Sequence, residues 1–194
     1  MNVAFFASGE GTNAELTAKH LKSTDIANPK LLLSNRQKAG ALSRAKAIGM
    51  NTAVFDRHDL ENGKVLQILE QERIDTIILQ GFLLMLPAEI VKAYRWQSVN
   101  QHPALLPKYG GSGMYGRAVH EAVAASGDKV SGFTLHRVND RYDDGDILFQ
   151  EEISITPGDA DQIEAAVRKL ENDLAPRVIG ELIVTGKLDA VKQD

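Results

Sequence analysis

The sequence predicts an α/β fold: a Rossmann-like, mostly parallel twisted sheet with helices on both faces and an antiparallel strand pair in the C-terminal half. Three observations carry this. Short β-type runs alternate with longer helical patterns through the first hundred residues, and such alternation builds βαβ units with right-handed crossovers. The runs KLLL (30–33) and TIIL (76–79) are apolar on both faces, as parallel strands covered by helices must be. Later, runs at 130–137 and 147–155 are joined by VNDRYDDGD, which is short for a crossover helix and predicts an antiparallel pair.

The elements follow in order. Residues 2–7 (NVAFFA) form the first strand, and a helix follows from about Ala14 to Leu21. The second strand is 30–33, with a helix near 39–48 that ends at Gly49, a good C-cap residue. The third strand is 52–55, then a helix near 60–72; the fourth is 75–79, then a short helix around 88–94. Residues 97–100 form the fifth strand, and a helix near 117–125 precedes the antiparallel pair. Thr156-Pro157-Gly158-Asp159 starts an amphipathic helix over about 159–172; Ala175-Pro176 is expected to interrupt it, and a final helix closes the chain.

The chain has 194 residues, 43% hydrophobic and 25% charged, which is the profile of a globular protein with one substantial core. We expect a single domain over 1–194, with a nucleotide-binding βαβ half (1–100) and a second half (101–194) that completes the site. The net charge is -4 without any block of like charges, so electrostatics argue against nucleic-acid binding. There are no cysteines, which excludes thiolate metal sites and disulfides. MNVAFFASGEG has no basic n-region and reads as a strand rather than a signal peptide. No apolar run approaches the roughly 20 residues a membrane span needs. A cytoplasmic protein is expected.

The first strand runs directly into Ser8-Gly9-Glu10-Gly11-Thr12-Asn13. A glycine-rich turn that opens a helix points backbone N–H groups and the positive end of the helix dipole at an anion such as phosphate. The spacing lacks the third glycine of the dinucleotide fingerprint and the Lys of a Walker loop. A tight turn with Thr12 or Asn13 as N-cap is the plainer alternative.

Asn100 and His102 lie two apart at a strand end, where open parallel sheets bind ligands. Asn can donate to an oxygen that gains negative charge; His can do so when protonated and can also carry a proton. Pro103 and Pro107 stiffen the exit. The turn 138–146 adds four carboxylates, and one close to His102 would favour the imidazolium form. A calcium loop counted from Asp140 fails at its third position, Tyr142, and lacks flanking helices. His20 and His120 sit in helix patterns and are expected at the surface; His58 lies in a loop and His136 on a strand.

SGEGTN after the first strand, NQHPALLPKY in mid-chain and VNDRYDDGD together resemble the phosphoribosylglycinamide formyltransferases, over essentially the whole chain. The resemblance implies transfer of a formyl group from 10-formyltetrahydrofolate to the amine of glycinamide ribonucleotide, in purine (IMP) biosynthesis, without a metal. By that resemblance Gly11, Thr12 and Asn13 cradle the ribonucleotide phosphate, while Arg168 and Glu171 contact the ribonucleotide. Asn100 and His102 form the catalytic pair with Asp143 as acidic partner. Leu83, Leu84, Met85 and Leu86, with Asn100, Asn139, Asp140, Arg141, Tyr142 and Asp143, line the folate site. The implied partners are these two small molecules, with no nucleic acid or membrane, and the protein is a monomer or homodimer.

Three positions and one loop stand out against the family pattern. Gln101 stands where Ile is common, and its side chain is expected to point away from the site. Asp144 replaces a common Gly. Arg168 matches by position alone. GGSGMYG (110–116) resembles a glycine-rich form of the family's mobile loop. Three other readings compete. A formyltetrahydrofolate hydrolase would carry an N-terminal regulatory domain, which is not expected because the glycine turn begins at Ser8. A methionyl-tRNA formyltransferase would carry a C-terminal extension and a basic RNA surface. A non-catalytic nucleotide-binding module would lose Asn100, His102 or Asp143.

Overall fold

A computed structural model describes residues 1–188. Fourteen elements follow one another: β1 (Asn2–Phe6), α1 (Thr12–Ser23), β2 (Asn28–Ser34), α2 (Gly40–Ala47), β3 (Asn51–Val54), α3 (Arg57–Glu61), α4 (Lys64–Gln71), β4 (Thr76–Gln80), α5 (Ala88–Ala93), β5 (Ser98–His102), α6 (Arg117–Ser126), β6 (Val130–His136), β7 (Ile147–Ser154) and α7 (Ala160–Val184). The strands form one sheet in the order β3-β2-β1-β4-β5-β6-β7. Strands β1 to β5 pair in parallel, while β6 runs antiparallel to both β5 and β7. The expected mixed sheet is therefore present, with β6 as its reversed strand.

Side-chain alternation sorts the core into two layers. Val3, Phe5, Leu32, Ile78 and Val99 pack with α1, α2 and α7. Their neighbours Ala4, Phe6, Leu31, Leu33, Ile77 and Leu79 pack on the other face with α3, α4 and α5. Both faces of β1, β2 and β4 thus meet apolar cover, which is why the runs in β2 and β4 read as continuously hydrophobic. A third cluster joins Ala104 and Tyr109 to Val119 and Val123 of α6 and to Ile163 and Val167 of α7.

Three expected boundaries differ. The helix expected over 60–72 is two helices, because Gly63 takes a left-handed φ of 84° between them. The fifth strand continues to His102 instead of stopping at 100, so Asn100 and His102 are alternate residues of one extended strand. Pro176 does not interrupt the last helix: α7 passes through it. A helix-interior proline loses one hydrogen bond and crowds the preceding turn, at about 3 kcal/mol. Beyond it Val178, Ile179, Leu182 and Ile183 are buried in the core, each at about 1.5–3 kcal/mol. Burial wins.

Candidate active site

The sheet order reverses between β1 and β4: the chain winds outward from β1 to β2 and β3, then crosses to β4 on the other side. A crevice must open at the carboxyl ends of strands at such a point. A cavity of about 450 Å³ lies there, within the size range of small-molecule sites. Its lining includes Gly11, Thr12, Asn13, Leu83, Leu84, Met85, Leu86, Asn100, His102, Asn139, Arg141, Tyr142, Asp143, Arg168 and Glu171. Of the candidate residues named from sequence, Asp140 alone is not part of this lining.

At one end the glycine turn leads into α1. The residue before the helix is Gly11, in a left-handed conformation (φ 73°), and no side chain caps the terminus. The N-cap role considered for Thr12 or Asn13 is therefore not taken; both are helical residues. A Cβ on Gly11 would stand 2.4 Å from the Ala41 Cβ, so close approach of α2 and backbone conformation both require glycine here. Ser8 ties the turn to its surroundings: its Oγ donates to Asn35 Oδ1 (2.6 Å) and accepts from the Leu83 N–H (3.1 Å). Asn13 Nδ2 donates to Glu171 Oε2 at 3.3 Å, which joins α1 to α7.

At the other end stand Asn100, His102 and Asp143. The His102 Nε2 lies 2.7 Å from the Tyr109 carbonyl oxygen, which can only accept, so this nitrogen carries a hydrogen. Its Nδ1 then faces Asp143 Oδ1 at 3.4 Å. Both ring nitrogens thus face an acceptor. Asp143 sits in a left-handed conformation (φ 53°), which aspartate tolerates better than most residues. Its Oδ2 accepts from the Gly111 N–H at 3.0 Å. Burial pushes its carboxyl up, but hydrogen bonding with His102, His136 and Gly111 outweighs this and holds the group well below the usual carboxylate range. Asp144, beside it, is exposed and faces Arg141 at 3.6 Å.

Sequence reasoning passed over three groups at the site. His136 is buried opposite Asn100 on β6. Its Nδ1 lies 2.8 Å from the Arg137 carbonyl oxygen, and its Nε2 is 2.9 Å from Asn100 Nδ2 and 3.5 Å from Asp143 Oδ1. Neutral, that Nε2 accepts from Asn100; protonated, it becomes a donor toward Asp143. The register of two antiparallel strands creates this contact, and no spacing within one segment announces it. His120, expected at the surface, is buried and lines the cavity, because α6 turns it toward Glu164 and Arg168 of α7. Burial pushes its imidazole pKa down. Gln101, expected to point away from the site, also lines the cavity: it faces away from Asn100, onto the α1 and α7 side of the sheet, where it meets Gln80.

Burial pushes the Glu171 carboxyl up; hydrogen bonding from Asn13 and the nearby charge of Arg168 oppose it. The cavity thus has an anion-binding turn at one end and a cluster able to stabilise a developing oxyanion at the other. Residues 1–179 match the family model described as formyl transferase.

The chain belongs to the formyl transferase family. It is similar to the chloroplastic phosphoribosylglycinamide formyltransferase of Arabidopsis thaliana, at 33% identity over 93% of this chain and 64% of that one. It thus spans slightly under two thirds of that plant relative's length. The phosphoribosylglycinamide formyltransferase of Bacillus subtilis is 33% identical, with 93% of each chain covered. Among solved structures, that of phosphoribosylglycinamide formyltransferase from Anaplasma phagocytophilum aligns with a TM-score of 0.86 at 26% identity, covering 95% of this chain and 87% of that one. The mixed seven-stranded sheet is the fold of these formyl transferases.

Proposed function

We propose that the protein transfers the formyl group of 10-formyltetrahydrofolate to the amine of glycinamide ribonucleotide, in purine biosynthesis and in the cytoplasm. The observation that carries this reading is one cavity that joins the uncapped N-terminus of α1 to the Asn100–His102–Asp143 cluster. The relatives named above are phosphoribosylglycinamide formyltransferases.

In this reading the ribonucleotide phosphate docks on the N–H groups of Gly11–Asn13, with the Thr12 hydroxyl and the helix dipole in support. Arg168 and Glu171 contact the rest of the ribonucleotide. The pterin of the folate lies against Leu83–Leu86 and the turn at 139–143. Asp140, outside the cavity lining, acts there only through its place in the turn. Residues 1–100 then serve the ribonucleotide and 101–194 the folate and the chemistry, in one domain.

Holding the amine beside the formyl carbon removes most of the entropic barrier to their meeting. The amine nitrogen attacks that carbon, a C–N bond forms, and the carbonyl electron pair moves to oxygen. Asn100 and imidazolium His102 stabilise the oxyanion. The Asn100 amide hydrogen aimed at Asp143 spans a long 3.4 Å and is readily redirected to that oxygen. Asp143 keeps the imidazolium in place. Collapse of the intermediate expels N10 of tetrahydrofolate, which takes up the proton lost by the amine, by way of His102 or water.

The test is to incubate the protein with 10-formyltetrahydrofolate, with and without glycinamide ribonucleotide. Formylated ribonucleotide, with folate consumed only when the ribonucleotide is present, supports transfer. Equal deformylation in its absence would instead mean hydrolysis.

A further inference from the structure

His102 is held unequally by its two ring nitrogens. Nε2 donates to the Tyr109 carbonyl oxygen at 2.7 Å, a close hydrogen bond. Nδ1 stands 3.4 Å from Asp143 Oδ1, too far for a close one. The bond at one nitrogen of a histidine sets what the other can do, so the placing of the Tyr109 carbonyl governs the nitrogen that faces Asp143. Tyr109 itself is not part of the cavity lining. After it, glycines at 110, 111 and 113 give the chain more conformational freedom than other residues would. Backbone stiffness on that side therefore does little to hold the carbonyl still.

The Tyr109 side chain supplies the hold. It is buried in the cluster with Val119, Val123, Ile163 and Val167. Its hydroxyl reaches the end of α6, with Ser126 Oγ at 2.7 Å and Asp128 Oδ2 also within hydrogen-bond distance. The Ser126 hydroxyl hydrogen goes to the Val123 carbonyl oxygen at 2.7 Å, so the phenolic hydrogen is what Ser126 and Asp128 share. Lys108 Nζ pairs with the same Asp128 oxygen at 2.6 Å and lies 5.2 Å from the centroid of the Tyr109 ring. Phenylalanine would fill the same space, so packing alone does not call for the hydroxyl. We propose that Tyr109 is a positioning residue: its hydroxyl, clasped by Ser126 and Asp128, fixes the carbonyl that orients the His102 ring toward Asp143. The inference rests on the reading of His102 as a participant in formyl transfer.

The test compares Tyr109→Phe with the wild type. Asp128 keeps its ion pair with Lys108 in that variant, so no carboxylate is stranded. The kcat for formyl transfer should fall about tenfold, less than the ~10²-fold that a misplacement of about 1 Å can cost. Both KM values should stay within about twofold, because Tyr109 lies outside the cavity lining. Ser126→Ala/Asp128→Ala removes both acceptors and keeps the ring. It should match Tyr109→Phe, and joined to it should add little. A readout that needs no substrate is the proton NMR signal of the His102 Nε2–H, assigned by its absence from His102→Ala. Its exchange with water, at fixed pH and temperature, should be at least about tenfold faster in Tyr109→Phe.

Should Tyr109→Phe fold poorly, Ser126→Ala/Asp128→Ala takes its place in both measurements. Wild-type kcat in the folded variants would overturn the proposal, and so would a lower kcat with an unchanged Nε2–H exchange rate. Lost stability with kcat and exchange both unchanged would reduce the hydroxyl to a structural contact. Wild-type protein that forms no formylated ribonucleotide rejects the proposed function itself, whereas faster exchange in Tyr109→Phe would still establish the clasp.

Discussion

Asn100 Nδ2 and His136 Nε2 stand 2.9 Å apart at directly opposed positions of β5 and β6. The bond fixes the amide plane of Asn100, and Asp143 Oδ1 lies within 3.5 Å of both residues. His136→Ala should therefore lower turnover about tenfold, through misorientation of the oxyanion donor, with both KM values near those of the wild type. Single-turnover rates with both substrates saturating measure this. An unchanged rate would mean that the β5 backbone alone orients Asn100.

His102→Ala and Asp143→Asn remove the proposed proton carrier and its charge partner. Each should reduce kcat by about 10²-fold or more, the usual scale for acid–base and oxyanion groups. Formyl transfer at the wild-type rate in both variants would remove these residues from the mechanism.

Asp143 also links stability to pH. Its carboxyl is held below the ordinary value in the folded protein, so its contribution is fully present above the unfolded pKa of about 3.9 and disappears as pH falls through the folded value. Urea midpoints of wild type and Asp143→Asn should differ most above about pH 5 and converge in acid. A gap that widens as pH falls would contradict the direction of the shift.

The proposed phosphate cradle admits a separate test. Thr12→Ala and Asn13→Ala should mainly raise the ribonucleotide KM, because they touch a part of the substrate remote from the reacting carbon. If only folate binding weakened, the cradle assignment would fall. Gly11→Ala should be worse than either: the left-handed backbone and the 2.4 Å approach to the Ala41 Cβ together predict lost stability of about 1–3 kcal/mol, read as a lower melting temperature.

Much of the fold was legible because it depends on features that lie within a segment. The doubly apolar β2 and β4 announced cover on both faces, and the short link after β6 announced an antiparallel partner. The glycine turn and the Asn100, His102 and Asp143 positions were legible as motifs. Pro176 was misleading because a local breaker was weighed without Val178, Ile179, Leu182 and Ile183, whose burial lies across the molecule on α1 and the sheet. His120 was misplaced for a similar reason: the helix pattern reveals its periodicity but not that α7 covers that face.

By itself, then, the sequence determined the alternation of strands and helices and singled out the glycine turn and the polar residues proposed to carry the chemistry, since propensity, periodicity and turn conformation act over a few residues. Tertiary structure alone decided which of them meet. Pairing of β5 with β6 brought His136 to Asn100, and pairing of β4 with β5 set Gln80 against Gln101. Docking of α7 on α1 then brought Glu171 to Asn13. Such contacts join residues far apart along the chain, and their geometry comes from sheet order and helix packing, which no local pattern encodes.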